Sequence, residues 1–448
     1  MNIPYGIASG FNGLADTLEM DIYLPQCDDS LHISKRPLMI WIHGGAFVSG
    51  DKSDVTGLCQ QFARKGYVTA SVNYRLGFVS DNAFWNCNFP NYNCIFAADT
   101  AEWYRANYRA IQDVKGAIRF FVNRKDSFRI DVDNIFVSGV SAGAITAMGV
   151  ALMDTASERW MQTFALDKLP KPNSSTLNCQ HNQGESFPLD SVLRPDLGGI
   201  NGTIEPTNID YTIKGVANIF GGIFTDLLAQ SRSGKTKPAI FTFHQPCDLL
   251  VSIDRKKIFW GLSWCFTNGY NGYSIANTPL LYGSRAISVL NNSNSYGYLF
   301  ENKFTNTEFP YSFLLGQASC TDQFTNSSCH DIDNINNRIL QLSQFFAPLV
   351  STSPICDTGY FPVPPVGGFQ TGFEKLTFRV FPNPSLQKIF FIETSSIEPF
   401  EWAVYNSMGL EIFNGTGNKV SLEDYSKGIY LLKVKTLKNV FVEKLVIP

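Results

Sequence analysis

Two short stretches carry the residue types that nucleophilic chemistry needs. Ser141 sits in Gly139-Val140-Ser141-Ala142-Gly143, directly after the apolar run Asn134-Ile135-Phe136-Val137-Ser138. A serine hydroxyl is a weak nucleophile, and it must stand exposed at a tight turn where a base can reach it. A turn from strand to helix strains the serine backbone, and flanking glycines avoid clashes with both neighbouring elements. Upstream, Leu38-Met39-Ile40-Trp41-Ile42 is an uninterrupted apolar run of the kind that forms a buried parallel strand. It ends in His43-Gly44-Gly45-Ala46-Phe47, where small residues let main-chain N–H groups approach a substrate oxygen. Gly44, Gly45, Ala46 and, after the serine, Ala142 are the candidate donors to a tetrahedral oxyanion. Losing one such donor typically costs about 2.7–4 kcal/mol of transition-state stabilisation.

These stretches resemble the G-x-S-x-G nucleophile elbow and the HGGG-type oxyanion motif of lipases and esterases. The resemblance to the carboxylesterase branch of the α/β-hydrolases covers roughly residues 15 to 350. In that family the order along the chain is Ser, then Asp or Glu, then His. The segment Phe243-His244-Gln245-Pro246-Cys247-Asp248-Leu249-Leu250-Val251 is similar to the family's H-G-x-x-D-x-x-V, with Gln245 where glycine is usual. The resemblance therefore implies Asp248 as the acid, with Asp254 as the alternative. Of the five histidines, only His330 follows Asp248, so the same order implies His330 as the base. It lies after strand-like Tyr311–Leu315 and before helical Ile335–Leu342, where the family's histidine loop is found. Asp331 follows the base too closely to orient it. His244 is expected to shape the acid loop, and His32 and His181 read as solvated loop residues. The implied chemistry is ester hydrolysis through an acyl-enzyme.

The elements that must position these groups are legible in part. Leu18–Pro25 is similar to the family's opening strand, and Tyr67–Arg75 to the strand after its first helix. Ala101–Arg124 places apolar residues at Tyr104, Tyr108, Ile111, Val114, Ile118 and Phe121, which is helical periodicity. Val216–Gly222 and Ala239–Phe243 are further apolar strands. Alternation of strands and helices predicts an α/β class fold: a mostly parallel central sheet covered by helices on both faces. Asp131–Asn134 and Asp331–Asn334 look like calcium-loop openings, but Ile at the fifth position supplies no oxygen ligand. They read as turns or helix starts. The chain contains no CxxC, HExxH or phosphate-binding glycine loop, so no metal and no cofactor is expected.

At 448 residues the chain exceeds one ordinary domain. A net charge of −3 gives no reason to propose nucleic-acid binding. Aromatic residues reach 14 %, and some of that excess is expected to line an acyl pocket. Ten cysteines without metal spacing fit disulfides in an oxidising compartment, with short-range pairs Cys87–Cys94, Cys247–Cys265 and Cys320–Cys329 as candidates. No stretch is apolar enough to span a bilayer. The first residues lack a secretory leader, which suggests numbering that starts after an excised or omitted signal.

Residues 1–351 are read as the catalytic domain, with a polar insertion at about 160–211 expected to form part of a cap and to influence substrate choice. Residues 352–374 are a Pro- and Gly-rich linker. Residues 375–448 show short alternating strands with frequent turns, predicting a small C-terminal β-sandwich. Val380-Phe381-Pro382-Asn383-Pro384, Val404–Gly409, Lys427–Val434 and Lys444–Pro448 follow in the order seen in the type A C-terminal sorting domain of the bacterial type IX secretion system, which this region resembles. A carbohydrate-binding module has a similar outline. The sorting resemblance implies the type IX machinery as a partner and a route through the periplasm to the cell surface or medium. The expected function is a secreted serine carboxylic-ester hydrolase. A polymer-directed esterase, a peptidase or lactonase on the same fold, and a non-catalytic binding protein on a hydrolase scaffold are the alternatives.

Overall fold

Strand alternation along the apolar run at 38–42 decides how the main sheet is covered. Leu38, Ile40 and Ile42 enter one buried cluster, while Met39 and Trp41 enter another on the opposite face. The computed structural model describes residues 2–25, 35–81, 97–172, 187–229, 236–264, 266–267, 270–271, 275–309, 328–350, 378–385, 387–394, 400–406, 411–435 and 440–448. These form two compact units, Met1–Val363 and Pro364–Pro448.

In chain order the first unit comprises β1 (Ile3–Ser9), β2 (Ala15–Tyr23), β3 (Arg36–Ile42), α1 (Thr56–Ala63), β4 (Val68–Val72), α2 (Thr100–Asn123), α3 (Lys125–Phe128), β5 (Ile130–Val140) and α4 (Ala142–Leu152). There follow the hairpin β6 (Leu166–Pro170) and β7 (Ser191–Arg194), then β8 (Ile213–Ile219), β9 (Gly222–Ile223), β10 (Ala239–His244), β11 (Arg255–Lys257), β12 (Phe266–Thr267) and β13 (Tyr270–Asn271). The unit ends with β14 (Leu280–Gly283), α5 (Ser284–Ser293), β15 (Phe300–Phe304) and α6 (Ile335–Phe346). The main sheet runs β1-β2-β4-β3-β5-β8-β10-β15. Pairing is antiparallel from β1 through β2 to β4 and parallel at every later step. α2 and α4 cover one face, and α1 and α6 cover the other through Leu58, Phe62, Ile339, Leu342 and Phe346. The parallel order aligns the C-terminal ends of β3, β5 and β10, from which the candidate loops emerge.

α2 begins at Asp99, whose side chain accepts from the Glu102 N–H. One face of this helix binds an irregular segment of the chain. Arg105 donates to the carbonyls of Gln162, Phe164 and Pro195, and Tyr108 to that of Gly198. Gln112 donates to the carbonyls of Leu197 and Gly199, and Arg119 to those of Asn201, Ile204 and Glu205. Residues 195–205, beyond the β6–β7 hairpin, have no ladder of their own, so these side chains supply their carbonyls with donors. The described end of the 160–211 insertion is thus a strap pinned to α2.

In the second unit, β16 (Phe378–Phe381), β17 (Ile389–Thr394) and β20 (Lys419–Ser421) form one antiparallel sheet. β18 (Glu401–Tyr405), β19 (Glu411–Thr416), β21 (Gly428–Lys435) and β22 (Val440–Ile447) form the other. Phe390 and Ile392 from the first sheet bury together with Trp402, Val404, Leu432, Val434 and Leu445 from the second, which makes a sandwich.

Several expectations are revised. Cys247 is bonded to Cys329, so neither Cys247–Cys265 nor Cys320–Cys329 forms. The bond joins two loops 82 residues apart in sequence. The Asp131–Asn134 tetrad lies inside β5, where Asn134 donates to the Asp131 carboxylate at 2.6 Å. In the second tetrad Asn334 caps α6 by accepting from the Asn337 N–H. The expected strand Tyr311–Leu315, the linker 352–374, Cys87, Cys94, His32 and His181 lie outside the described residues.

Candidate active site

Ser141 closes β5 and opens α4 with φ 55° and ψ −123°. This left-handed, strained backbone exists because the surroundings enforce it. The Ser141 N–H donates to the Ile219 carbonyl of β8, while the Ser141 carbonyl accepts from Ala144 and Ile145. A Cβ on Gly143 would stand 2.2 Å from the Ile42 carbonyl oxygen, and one on Gly139 would stand 2.2 Å from Gly143. Only glycine at both positions lets α4 start against β3.

His330 and Asp248 arrive from loops after β15 and β10. Ser141 Oγ donates to His330 Nε2 at 2.7 Å, and His330 Nδ1 donates to Asp248 Oδ2 at 2.7 Å. Asp248 Oδ1 accepts the main-chain N–H groups of Leu250 and Val251, each at 2.9 Å, and His244 Nε2 lies 3.1 Å from Oδ2. Burial alone would push the Asp248 carboxyl up. The charge of His330 and the hydrogen bonds of both histidines outweigh it and hold the group below the usual carboxylate range. The two loops are tied by Cys247–Cys329, by the Leu249 N–H to the Ser328 carbonyl at 3.0 Å, and by Gln245 to Asp331. Phe220 stands edge-on against the His330 ring, with centroids 4.7 Å apart. Asp254 is instead bound by Arg285 at 2.6 and 2.7 Å.

The loop after β3 has Gly45, Ala46 and Phe47 at positive φ. A Cβ on Gly45 would stand 2.1 Å from the Ser49 carbonyl oxygen, so the turn needs glycine there. His43 is fully buried, stacks on Tyr74 at 4.5 Å, and donates from Nδ1 to the Gly44 carbonyl at 2.8 Å. Burial pushes this histidine down and keeps it neutral. The loop brings Gly45 and Ala46 to the same cavity as Ser141.

A cavity of about 250 Å³ opens beside Ser141 and His330. Gly45, Ala46 and Ala142 line its polar end, and Phe47, Trp103, Ile145, Leu250, Ile258 and Phe259 its apolar walls. Gly44 is not among the lining residues, and a Cβ added to it would stand 3.1 Å from Ser141 Cβ. Sequence reasoning missed the walls contributed by 250–259. Their apolar types after the acid were the available signal. The described lining takes nothing from 160–211.

Residues 20–178 match the BD-FAE family model, and residues 379–448 match that of the secretion system C-terminal sorting domain. Carboxylesterase 1C of Rattus norvegicus is 28 % identical over 141 residues, 32 % of this chain and 22 % of that protein. The para-nitrobenzyl esterase of Bacillus subtilis (strain 168) is 28 % identical over 196 residues, 41 % of this chain and 36 % of that protein. The matched region thus spans about a fifth to a third of these relatives' length. Among solved structures, the apo form of Thermogutta terrifontis esterase 2 aligns with TM-score 0.40 and 13 % identity, over 79 % of this chain and 96 % of that one. No helix among the described residues is long and apolar enough to cross a membrane.

Proposed function

We propose that this chain, an α/β-hydrolase of esterase type joined to a secretion-system sorting domain, hydrolyses carboxylic esters at Ser141 outside the cytoplasm. The observation that carries the reading is the continuous line Ser141–His330–Asp248, with both links at 2.7 Å, opening onto an apolar cavity. His330 removes the Ser141 proton as Oγ attacks the ester carbonyl. The N–H groups of Gly45, Ala46 and Ala142 receive the oxyanion, with Gly44 shaping the turn that presents them. His330 then gives its proton to the departing alkoxide, releasing the alcohol. Water, deprotonated by His330, cleaves the acyl-enzyme and frees the acid and Ser141. Asp248 fixes the imidazole tautomer and balances its charge during both transfers.

The cavity walls favour an apolar acyl group of modest size, with the alcohol side left towards solvent. The sorting domain implies secretion or display at the cell surface, and the Cys247–Cys329 bond suits that compartment. Hydrolysis of p-nitrophenyl esters from acetate to dodecanoate, with Ser141→Ala alongside, tests the proposal. A clear chain-length optimum and a loss of about 10⁴-fold or more in the variant are expected. Equal rates in both proteins would refute it.

A further inference from the structure

We infer that His244 is a positioning residue for this site, an N–H donor of fixed tautomer, set by Ser284, that shares the Asp248 carboxylate with His330. The inference rests on the catalytic reading above and extends it beyond the three residues in line. His244 ends β10 and is fully buried. Its Nε2 lies 3.1 Å from Asp248 Oδ2 and 2.8 Å from the Val251 carbonyl oxygen. A carbonyl oxygen only accepts, so Nε2 must carry the proton and share it between both oxygens. A neutral ring then presents a bare Nδ1, which lies 2.9 Å from Ser284 Oγ at the start of α5. Asn218 Nδ2, on β8, donates to that same Oγ at 3.3 Å, leaving the hydroxyl proton for His244. Asn218 and Ser284 are both fully buried.

The result is an ordered chain of donors, Asn218 to Ser284 to His244 to Asp248. Asp248 Oδ2 takes one N–H from each histidine while Oδ1 takes two from the main chain, so the carboxylate cannot rotate away from His330. A histidine that only filled space would not need three polar neighbours at these distances. The titratable group bonded to the ring is Asp248, which also takes the N–H of His330. On the adjoining elements Arg285 is paired with Asp254, and Asp331 is held by Gln245.

Nitrogen-15 NMR of the histidine-labelled full chain, from pH 5 to 9, reads the tautomer directly. A proton on Nε2 of His244, with Nδ1 the bare nitrogen of the neutral ring, is expected. A neutral ring protonated at Nδ1 in place of Nε2 would overturn the inference. This readout does not need turnover, so its failure and the failure of the catalytic reading are told apart. His244→Phe keeps the ring bulk and removes the donor. It is expected to lower kcat about 10–100-fold while KM stays within about threefold. With one donor left at Oδ2, Asp248 holds the charged form of His330 more tightly, so the acid limb of kcat/KM moves to higher pH. His244→Gln restores an N–H near the Nε2 position and is expected to recover most of kcat and the parental acid limb. Parental kcat in a folded His244→Phe overturns the inference, as does equal loss in His244→Gln with an unmoved acid limb. Should His244→Phe not fold, Ser284→Ala carries the test. A several-fold fall in kcat at parental KM is expected, and unchanged kcat overturns it.

Discussion

Replacing both Cys247 and Cys329 with alanine removes the covalent link between the acid and base loops, and its cost can be worked from the fold. The bond closes a loop of 82 residues. In the chain-entropy treatment, a cross-link of that span restricts the unfolded chain by about 4.5 kcal/mol. Unfolding entropy of about 2.1 cal/mol/K per residue, over a unit ending at Val363, converts this to a fall in Tm of about 6 °C. Catalysis should suffer separately. Asp248 follows one cysteine and His330 follows the other, so loosening the loops displaces both ends of the 2.7 Å link between them. Misplacement of about 1 Å at a reacting group costs on the order of 100-fold. The Leu249–Ser328 backbone bond remains, so kcat is expected to fall about 10–100-fold with a smaller change in KM. Thermal unfolding by near-UV circular dichroism, thiol titration and steady-state kinetics on p-nitrophenyl butyrate measure these quantities. A double variant with Tm within about 1 °C of the parent and unchanged kcat would refute the reasoning, given a parent shown to be oxidised.

Three further outcomes follow from the same geometry. Phe259→Ala removes a cavity wall; it should cost about 3–5 kcal/mol of stability and move the acyl optimum to longer chains, read from the p-nitrophenyl series. Arg119→Ala strips donors from three strap carbonyls and should destabilise by about 3 kcal/mol in guanidinium unfolding, with the chain-length profile unchanged because the strap does not line the cavity. Asp248 has a folded-state pKa below its unfolded value of 3.8, so its contribution is complete above that value and disappears as pH falls through the lower folded one. Urea unfolding of parent and Asp248→Asn should therefore differ most near neutral pH and converge in acid. A gap that did not narrow as pH fell below 3.8 would contradict the assignment.

Much of this was legible from residue types because the motifs are local. The apolar runs at 38–42 and 134–138 become β3 and β5, and the glycines around Ser141 are demanded by backbone approaches of 2.2 Å. Periodicity in 101–124 likewise marked α2. What stayed hidden depends on distant pairing. β1 buries only Tyr5 and carries Pro4 and Gly6, so no apolar run marks it, and β19 and β20 are strands recruited by sheet neighbours. The Cys247–Cys329 partnership becomes visible only when the loops after β10 and β15 converge. The strap on α2 has no periodicity because its carbonyls are satisfied by side chains. His244 read as part of the acid loop; its link to Ser284 spans 40 residues and no local pattern announces it.

The most direct test of the central claim is covalent labelling with a fluorophosphonate probe, followed by peptide mass spectrometry. An activated serine reacts stoichiometrically, whereas an ordinary hydroxyl does not. One adduct, on Ser141, is expected in the parent, none in Ser141→Ala, and strongly slowed labelling in His330→Ala. A folded, oxidised parent that takes no label, or labels at another serine, would contradict the account.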